Sequence, residues 1–414
     1  MFKYTFITGL FLLFTCTLLA QRELKNPLID SKEIIIQSIK LHDDGKYKEA
    51  IAEYLKVPAS DTNYAQILTE LVTSYYADSN FVSAEKYIQT GMELFPEKKV
   101  LLLRLLADIY DDSNRSALSQ PVYDSIIAIT KYDYLTYFNK GISLYRQEKI
   151  DEAVVCFQKT VMLNPYYASA HYFLGVISMT KGNLVEAMLS FTTSLLVSPG
   201  NKYFEKAIGH LSSIAQVNKS ITDYLKNYKA GKENNFEAVQ DIISSKIALD
   251  KNYKLKVDLE DEIVRQLQVM FEKLEYNATD KGFWMQYYVP AYKQIWDTKN
   301  LEPFIFYIFS ELNLEKVKNY NKKQKKDIEQ MSAVMVAYFN TIRKSQELNL
   351  AKRETNKIQC YINNYKIAGK GGYGKNEKNE EIFIGPWEFY FNTGTIKSQG
   401  NYDNIGLRYQ TGAA

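Results

Sequence analysis

Two adjacent windows decide the fold: YLTYFNKGISLYRQEKIDEAVVCFQKTVMLNPYY, from Tyr134 to Tyr167, and ASAHYFLGVISMTKGNLVEAMLSFTTSLLVSPGN, from Ala168 to Asn201. Set one above the other, they agree at Gly141 and Gly175, Ala153 and Ala187, Phe157 and Phe191, and Pro165 and Pro199, each pair 34 residues apart. Self-similarity at such a period is the signature of a repeat array. Between the matches the apolar residues keep helical spacing. Small residues suit the points where two antiparallel helices cross, a large ring fills the adjoining space, and Pro ends the second helix because it cannot extend the hydrogen-bond ladder.

The same frame runs backwards, starting at Ser31, at Ala65 and, after one inserted residue, at Val100. Its eighth position holds Ser38, Val72, Ala107, Gly141 and Gly175, and its twentieth Ala50, Ala84, Ser119, Ala153 and Ala187. The twenty-fourth holds Tyr54, Ile88, Tyr123, Phe157 and Phe191. In Gly45-Lys46-Tyr47-Lys48-Glu49-Ala50 the Gly closes a first helix and Ala opens the inner face of a second. Five repeats, and so ten helices, are predicted over residues 31–201.

This pattern resembles the tetratricopeptide repeat, which implies an α-solenoid whose first helices line a concave groove for peptide ligands. In that family helix positions 5, 9 and 12 face the groove. Carried onto this frame, position 5 is Ile35, Thr69, Arg104, Phe138 and Tyr172; position 9 is Ile39, Thr73, Asp108, Ile142 and Val176; position 12 is His42, Tyr76, Asp111, Tyr145 and Met179. The resemblance thus implies an apolar, aromatic track of Phe138, Ile142, Tyr145, Tyr172, Val176 and Met179, beside Arg146. Asp108, Asp111 and Asp112 would favour a basic flank on the ligand. The family's carboxylate clamp, with Lys at position 5 and Asn at position 9, does not occur in these five repeats. The implied ligand is a hydrophobic segment or helix, with self-coverage of the track by helices after Lys202 as the rival.

From 202 to 350 helical spacing continues without a clean 34-residue register, as in Asp261 to Phe271, and predicts about six further helices interrupted at the polar stretch Ala230 to Asn235. Residues 351–380 read as a linker. From Glu381 the sequence EIFIGPWEFYFNTGTIKSQGNY turns to β-branched and aromatic residues around Asn392-Thr393-Gly394, a hairpin signal. Through Gly385, Trp387, Phe389, Tyr390, Asn392, Gly394, Ile396, Gly400 and Tyr402 it resembles a MORN repeat of the second type. That pattern fails after Asn404, so the unit over 381–414 reads as incomplete. The fold class is therefore mostly α: a solenoid, further helices and a small antiparallel β-hairpin.

The chain has 414 residues, 46% hydrophobic and 24% charged, which is enough for two or three ordinary cores and excludes a collagen-like or wholly disordered chain. A formal charge of +3 argues against nucleic acid as partner. Three His and three Cys, none in ligand spacing, make a metal centre or a Cys-His nucleophile hard to build, and no cofactor is implied. Lys3 followed by the apolar run Thr5 to Ala20 has the form of an export signal cut before Gln21, with a retained anchor as the alternative and lipidation at Cys16 discounted.

Gly369 to Lys375 matches phosphate-loop spacing, but Asn376 follows and no helix does, so nucleotide binding is not implied. Asp258, Glu260, Asp261 and Glu262 open an amphipathic helix, where acidic residues suit the dipole. Lys322, Lys323, Lys325 and Lys326 read as a solvated face, and His171 as a packing residue. Together these features describe an exported, non-enzymatic interaction scaffold of the periplasm or cell envelope, with peripheral membrane association left open. The alternative is a glycan- or peptidoglycan-processing or binding protein whose site in 202–350 joins Asp261 with Trp284 or Tyr287.

Overall fold

The computed structural model describes residues 29–130, 133–346, 358–363, 366–375, 381–390, 396–402 and 408–409, with side chains through residue 340. The export-signal segment 1–20 and the turn Asn392 to Gly394 lie outside these residues. The chain divides into two compact units, one through Ile109 and one from Tyr110.

Ten helices occupy the five repeats: α1 (Ser31–Asp43), α2 (Tyr47–Tyr54), α3 (Tyr64–Ala77), α4 (Phe81–Leu94), α5 (Lys99–Asp112), α6 (Ser116–Thr130), α7 (Tyr134–Arg146), α8 (Ile150–Leu163), α9 (Ala168–Thr180) and α10 (Leu184–Val197). Asp30 opens the first, accepting from the backbone N–H groups of Lys32 and Glu33. The backbone keeps the repeat more faithfully than the side chains do. Gly45, Ser79, Asn114, Glu148 and Gly182 all take a left-handed conformation, with φ of 77°, 58°, 59°, 60° and 80°, at the turn between the two helices of each repeat. Three of the five carry a Cβ there, a strained geometry that the flanking helices enforce.

In the N-terminal unit Ile35, Ala50, Ile51, Tyr54, Ile67 and Leu71 form one cluster, and Leu68, Val72, Ala84, Ile88, Leu102 and Ile109 a second. In the C-terminal unit a single cluster runs from Phe138 to Phe339. Gly141 and Gly175 act as seats within it. A Cβ at Gly141 would lie 2.8 Å from the Phe157 ring, and one at Gly175 2.7 Å from the Phe191 ring.

The register does not stop at residue 201. Helix α11 (Phe204–Gln216) carries Gly209 another 34 residues on, and it is followed by a left-handed Val217 with φ 43° and the short α12 (Lys219–Leu225). Nothing lies within 4 Å of a Cβ built on Gly209, so no ring sits on this sixth seat. After α12 the helices are α13 (Glu237–Ser244), α14 (Glu262–Lys273), α15 (Phe283–Tyr287), α16 (Val289–Asp297), α17 (Leu301–Ile308), α18 (Glu315–Lys323) and α19 (Lys325–Lys344). The region is thus cut into more and shorter helices than its spacing suggested. Gly282 and Pro290 start two of these helices, and left-handed Lys246 and Lys299 break others.

The C-terminal strands are β1 (Ser345–Gln346), β2 (Ile358–Asn363), β3 (Lys366–Lys375), β4 (Glu381–Tyr390), β5 (Ile396–Tyr402) and β6 (Arg408–Tyr409), antiparallel and in sequence order. β4 pairs with β5 through Trp387 opposite Gly400. The stretch 351–380, read as a linker, instead supplies β2 and β3, and Gly371 stands opposite Trp387. The reason is a second period: Tyr361, Asn363, Ile367, Gly371 and Tyr373 recur 29 residues later as Tyr390, Asn392, Ile396, Gly400 and Tyr402. The glycines that suggested a loop belong to a strand with a register shift between Gly371 and Gly372, a common place for glycine in a sheet.

The seats make opposite predictions for one substitution. Gly175→Ala should cost about 1–3 kcal/mol of stability through overpacking against Phe191. Gly209→Ala should be neutral or gain up to about 1 kcal/mol from helix propensity. Urea unfolding of the two variants measures both, and equal losses would show that the seat is not what limits residue 175.

Candidate functional site

The six track residues lie on α7 and α9, and their surroundings differ. Phe138, Tyr172 and Met179 are buried, at 7%, 6% and 5% exposure, whereas Ile142, Tyr145 and Val176 are half-buried. Phe138 meets Tyr167 edge-on at 4.9 Å and also contacts the Phe157 and Phe173 rings. Tyr172 stacks on Tyr203 at 4.3 Å with the rings 4° from parallel, and its hydroxyl lies 3.3 Å from His210 Nε2 on α11. Phe138 and Tyr172 are therefore cement between successive first helices, and Met179 is core. Ile142, Tyr145 and Val176 keep a face toward solvent, with Phe173 packed edge-on against Tyr145. Tyr203 and His210 extend this surface, and the 34-residue step from Gly175 to Gly209 was the signal that marked α11 as a sixth first helix.

The acidic flank is largely consumed. The Asp111 carboxylate accepts hydrogen bonds from Ser119 Oγ at 2.7 Å, Ser143 Oγ at 2.6 Å and Tyr123 Oη at 3.0 Å, so it ties α5 to α6 and α7. Asp112 pairs with Arg146 at 3.4 Å, across one repeat. Asp111 and Asp112 thus do not form the free acidic flank read from the sequence. Arg104 and Asp108 lie half-buried on the part of α5 that belongs to the N-terminal unit.

The helices after α12 engage the second helices of repeats four and five. Tyr287 donates to the Val161 carbonyl at 2.9 Å, Trp284 Nε1 to Ser190 Oγ at 2.8 Å, and Tyr292 to the Leu189 carbonyl at 2.8 Å. Gln240 clasps the turn into α10, accepting from Leu184 N–H at 2.8 Å and donating to the Gly182 carbonyl at 2.9 Å. His171 Nε2 lies 2.8 Å from the Pro165 carbonyl, which can only accept, so Nδ1 is left to accept from Tyr288 Oη at 2.7 Å. Burial pulls the His171 pKa down to about 4, and the ring stays neutral.

The alternative site does not assemble. Trp284 and Tyr287 are buried and bonded as above, which leaves no ring face for a sugar. Asp261 caps α14 through Ile263 N–H at 2.7 Å, Glu260 pairs with Arg265 at 2.6 Å, Asp258 pairs with Lys316 at 2.6 Å, and Glu262 accepts from Gln216 at 2.7 Å. Among the described residues no three His, Cys, Asp or Glu side chains come together as metal ligands.

No protein-family model matches the chain. Over 178 residues it is 24% identical to the protein O-mannosyl-transferase TMTC1 of Homo sapiens, covering 42% of this chain and 20% of that protein, so it spans about a fifth of the length of this curated relative. Among solved structures it is similar to MamA, residues 41 to the end, from Desulfovibrio magneticus RS-1, at 18% identity and TM-score 0.36, covering 42% of this chain and 99% of that one. It is also similar to YrrB, a TPR protein with an unusual peptide-binding site, at 19% identity and TM-score 0.33, covering 42% and 89%.

Covering the second helices isolates one carboxylate. Glu49 and Glu152 precede the Ala of their repeats and are exposed, whereas Glu186 in the same position is 8% exposed. Its neighbours are neutral donors, Ser178 Oγ at 3.1 Å and Asn183 Nδ2 at 3.2 Å. Burial pushes its pKa up to about 7, against the lowering pull of the Ser178 and Asn183 hydrogen bonds and the Lys181 charge, and the Asp280 carboxylate adds a little to the rise. The folded chain therefore holds this proton more tightly than the unfolded one, and the stability it lends is present below the ordinary carboxyl range and lost as pH rises through about 7. The loss should be on the order of 3 kcal/mol. Glu186→Gln should remove this pH dependence between about 4.5 and 7, measured as urea midpoints across that window.

Proposed function

We propose that the protein is an exported, non-enzymatic scaffold that holds an apolar segment or helix of a partner protein against α7 and α9. The observation that carries this reading is the division of labour between the two faces of the repeats. The second helices α8 and α10 are bonded to the helices that follow, while Ile142, Tyr145 and Val176 on the first helices keep apolar surface half open. Apolar side chains at matching positions of neighbouring repeats can seat the face of an amphipathic helix. With Asp111 and Asp112 engaged internally, the ligand needs no basic flank at that end.

Export rests on the run Thr5 to Ala20, and placement in the periplasm or cell envelope follows from it. The strands β2 to β5, with their 29-residue recurrence, fit two units of the second type of MORN repeat rather than one.

A photo-crosslinking residue placed at Ile142 or Val176 should trap a partner from envelope extract, and one at Val82, 81% exposed in the N-terminal unit, should not. With that partner purified, Ile142→Glu plus Val176→Glu should weaken binding by roughly tenfold or more, since a charge facing an apolar anchor costs over 1 kcal/mol. Unchanged affinity in a folded variant would sink the proposal.

A further inference from the structure

Helix α18 and the start of α19 carry a dense run of positive charge. Between Asn313 and Lys326 there are six lysines and one glutamate, more positive charge than the +3 of the entire chain. Packing fixes which way they face. Val317 is fully buried, the Tyr320 ring stacks on Phe306 at 3.8 Å with the planes 8° apart, and Asn321 Nδ2 donates to the Phe306 carbonyl at 3.2 Å. With these residues holding the inner face, Lys318, Lys322 and Lys323 are left exposed, and Lys325 and Lys326 continue the patch into α19.

Two lysines of the run have partners: Lys316 pairs with Asp258, and Lys318 donates to Asn313 Oδ1. Lys322, Lys323, Lys325 and Lys326 have no ion pair among the described residues, although Asp327 and Glu329 follow closely in sequence. Leu314, at the other end of α18, is 41% exposed.

We infer that this patch docks the protein on an anionic phospholipid surface. The chemistry selects a bilayer over the alternatives. Every cation is a lysine, a point charge on a flexible stem, and none is an arginine with the planar fork that reads a fixed carboxylate or phosphate pair. A bilayer supplies many phosphates in no fixed geometry, which suits such charges. Single-stranded nucleic acid would call for rings on which bases stack, and the ring within the patch, Tyr320, is already stacked on Phe306. Leu314 adds an apolar contact at the headgroup level. The patch shares no residue with Ile142, Tyr145 and Val176, so the two surfaces can be altered independently.

The test is sedimentation of the full chain with vesicles of phosphatidylglycerol mixed with phosphatidylcholine, and with phosphatidylcholine alone, at low and high salt. The chain should pellet with the anionic vesicles, and salt should release it. Each lysine near the surface is worth about a fivefold change in partition. Lys322→Gln, Lys323→Gln, Lys325→Gln and Lys326→Gln together should therefore lose several hundredfold, while Arg at all four should retain binding. These side chains are exposed, and a thermal melt matching the parent's checks that the fold is kept. Ile142→Glu plus Val176→Glu should sediment like the parent, which keeps this inference distinct from the partner-binding one. Equal pelleting of the Gln variant, no pelleting of the parent, or preferential capture of the parent by a single-stranded oligonucleotide would each overturn it.

Discussion

The C-terminal unit depends on the enclosure of one helix. Every residue of α10 from Leu184 to Leu196 is buried, including Glu186, Ser190, Thr192, Thr193 and Ser194. A helix apolar on one stripe needs one neighbour; a helix enclosed all round needs neighbours on every side, and each polar side chain needs a bond inside. Those bonds exist. Ser190, Thr192 and Thr193 return hydroxyls to carbonyls one turn earlier, Ser194 bonds the Ala168 carbonyl, and Trp284 and Tyr292 reach in from the covering helices. Removing the covering helices would expose apolar and polar groups together. The hairpins of repeats four and five and the helices that cover them therefore share a single core.

That enclosure also separates two uses of a repeat. In an open array both outer surfaces face water, and the exposed Glu49 and Glu152 at the starts of second helices show that condition. In the fifth repeat the same position is internal, and the carboxylate's hydrogen-bond donors are the neutral Ser178 and Asn183. From α7 to Tyr203 the first helices are occupied by one another's rings, with a half-open band left at Ile142, Tyr145 and Val176.

The ten helices and their turns could be read from the sequence because Gly141, Gly175, Phe157 and Phe191 meet in the contacts that their spacing implied. The inserted residue before Val100 is likewise visible in the backbone, where the left-handed turn steps from Ser79 to Asn114. The track was read less well. Spacing shows which residues share a helix face but not which of them a neighbouring repeat consumes, so Phe138 and Tyr172 looked like ligand contacts and are core. Asp111 misled for a related reason: three hydroxyls from α6 and α7 converge on it, and nothing local announces them. β2 and β3 are hidden by glycines, and their 29-residue echo of β4 and β5 rests on a few scattered positions rather than on a continuous match.

The bonds from Tyr287 to Val161, His171 to Tyr288 and Tyr292 to Leu189 join residues 126, 117 and 103 positions apart. A bare stack of hairpins makes nearly all its contacts between near neighbours and can assemble from any point outward. Here the central hairpins cannot complete their cores until a chain segment more than a hundred residues downstream has arrived. Loop closure on that scale is entropically slow, and it raises the contact order of an otherwise local topology. During synthesis, the N-terminal hairpins can settle as they emerge, while the hairpin around α10 must wait with its apolar surface exposed. The same long-range bonds that hold the C-terminal unit together thus make its assembly the step at which a chaperone would matter most.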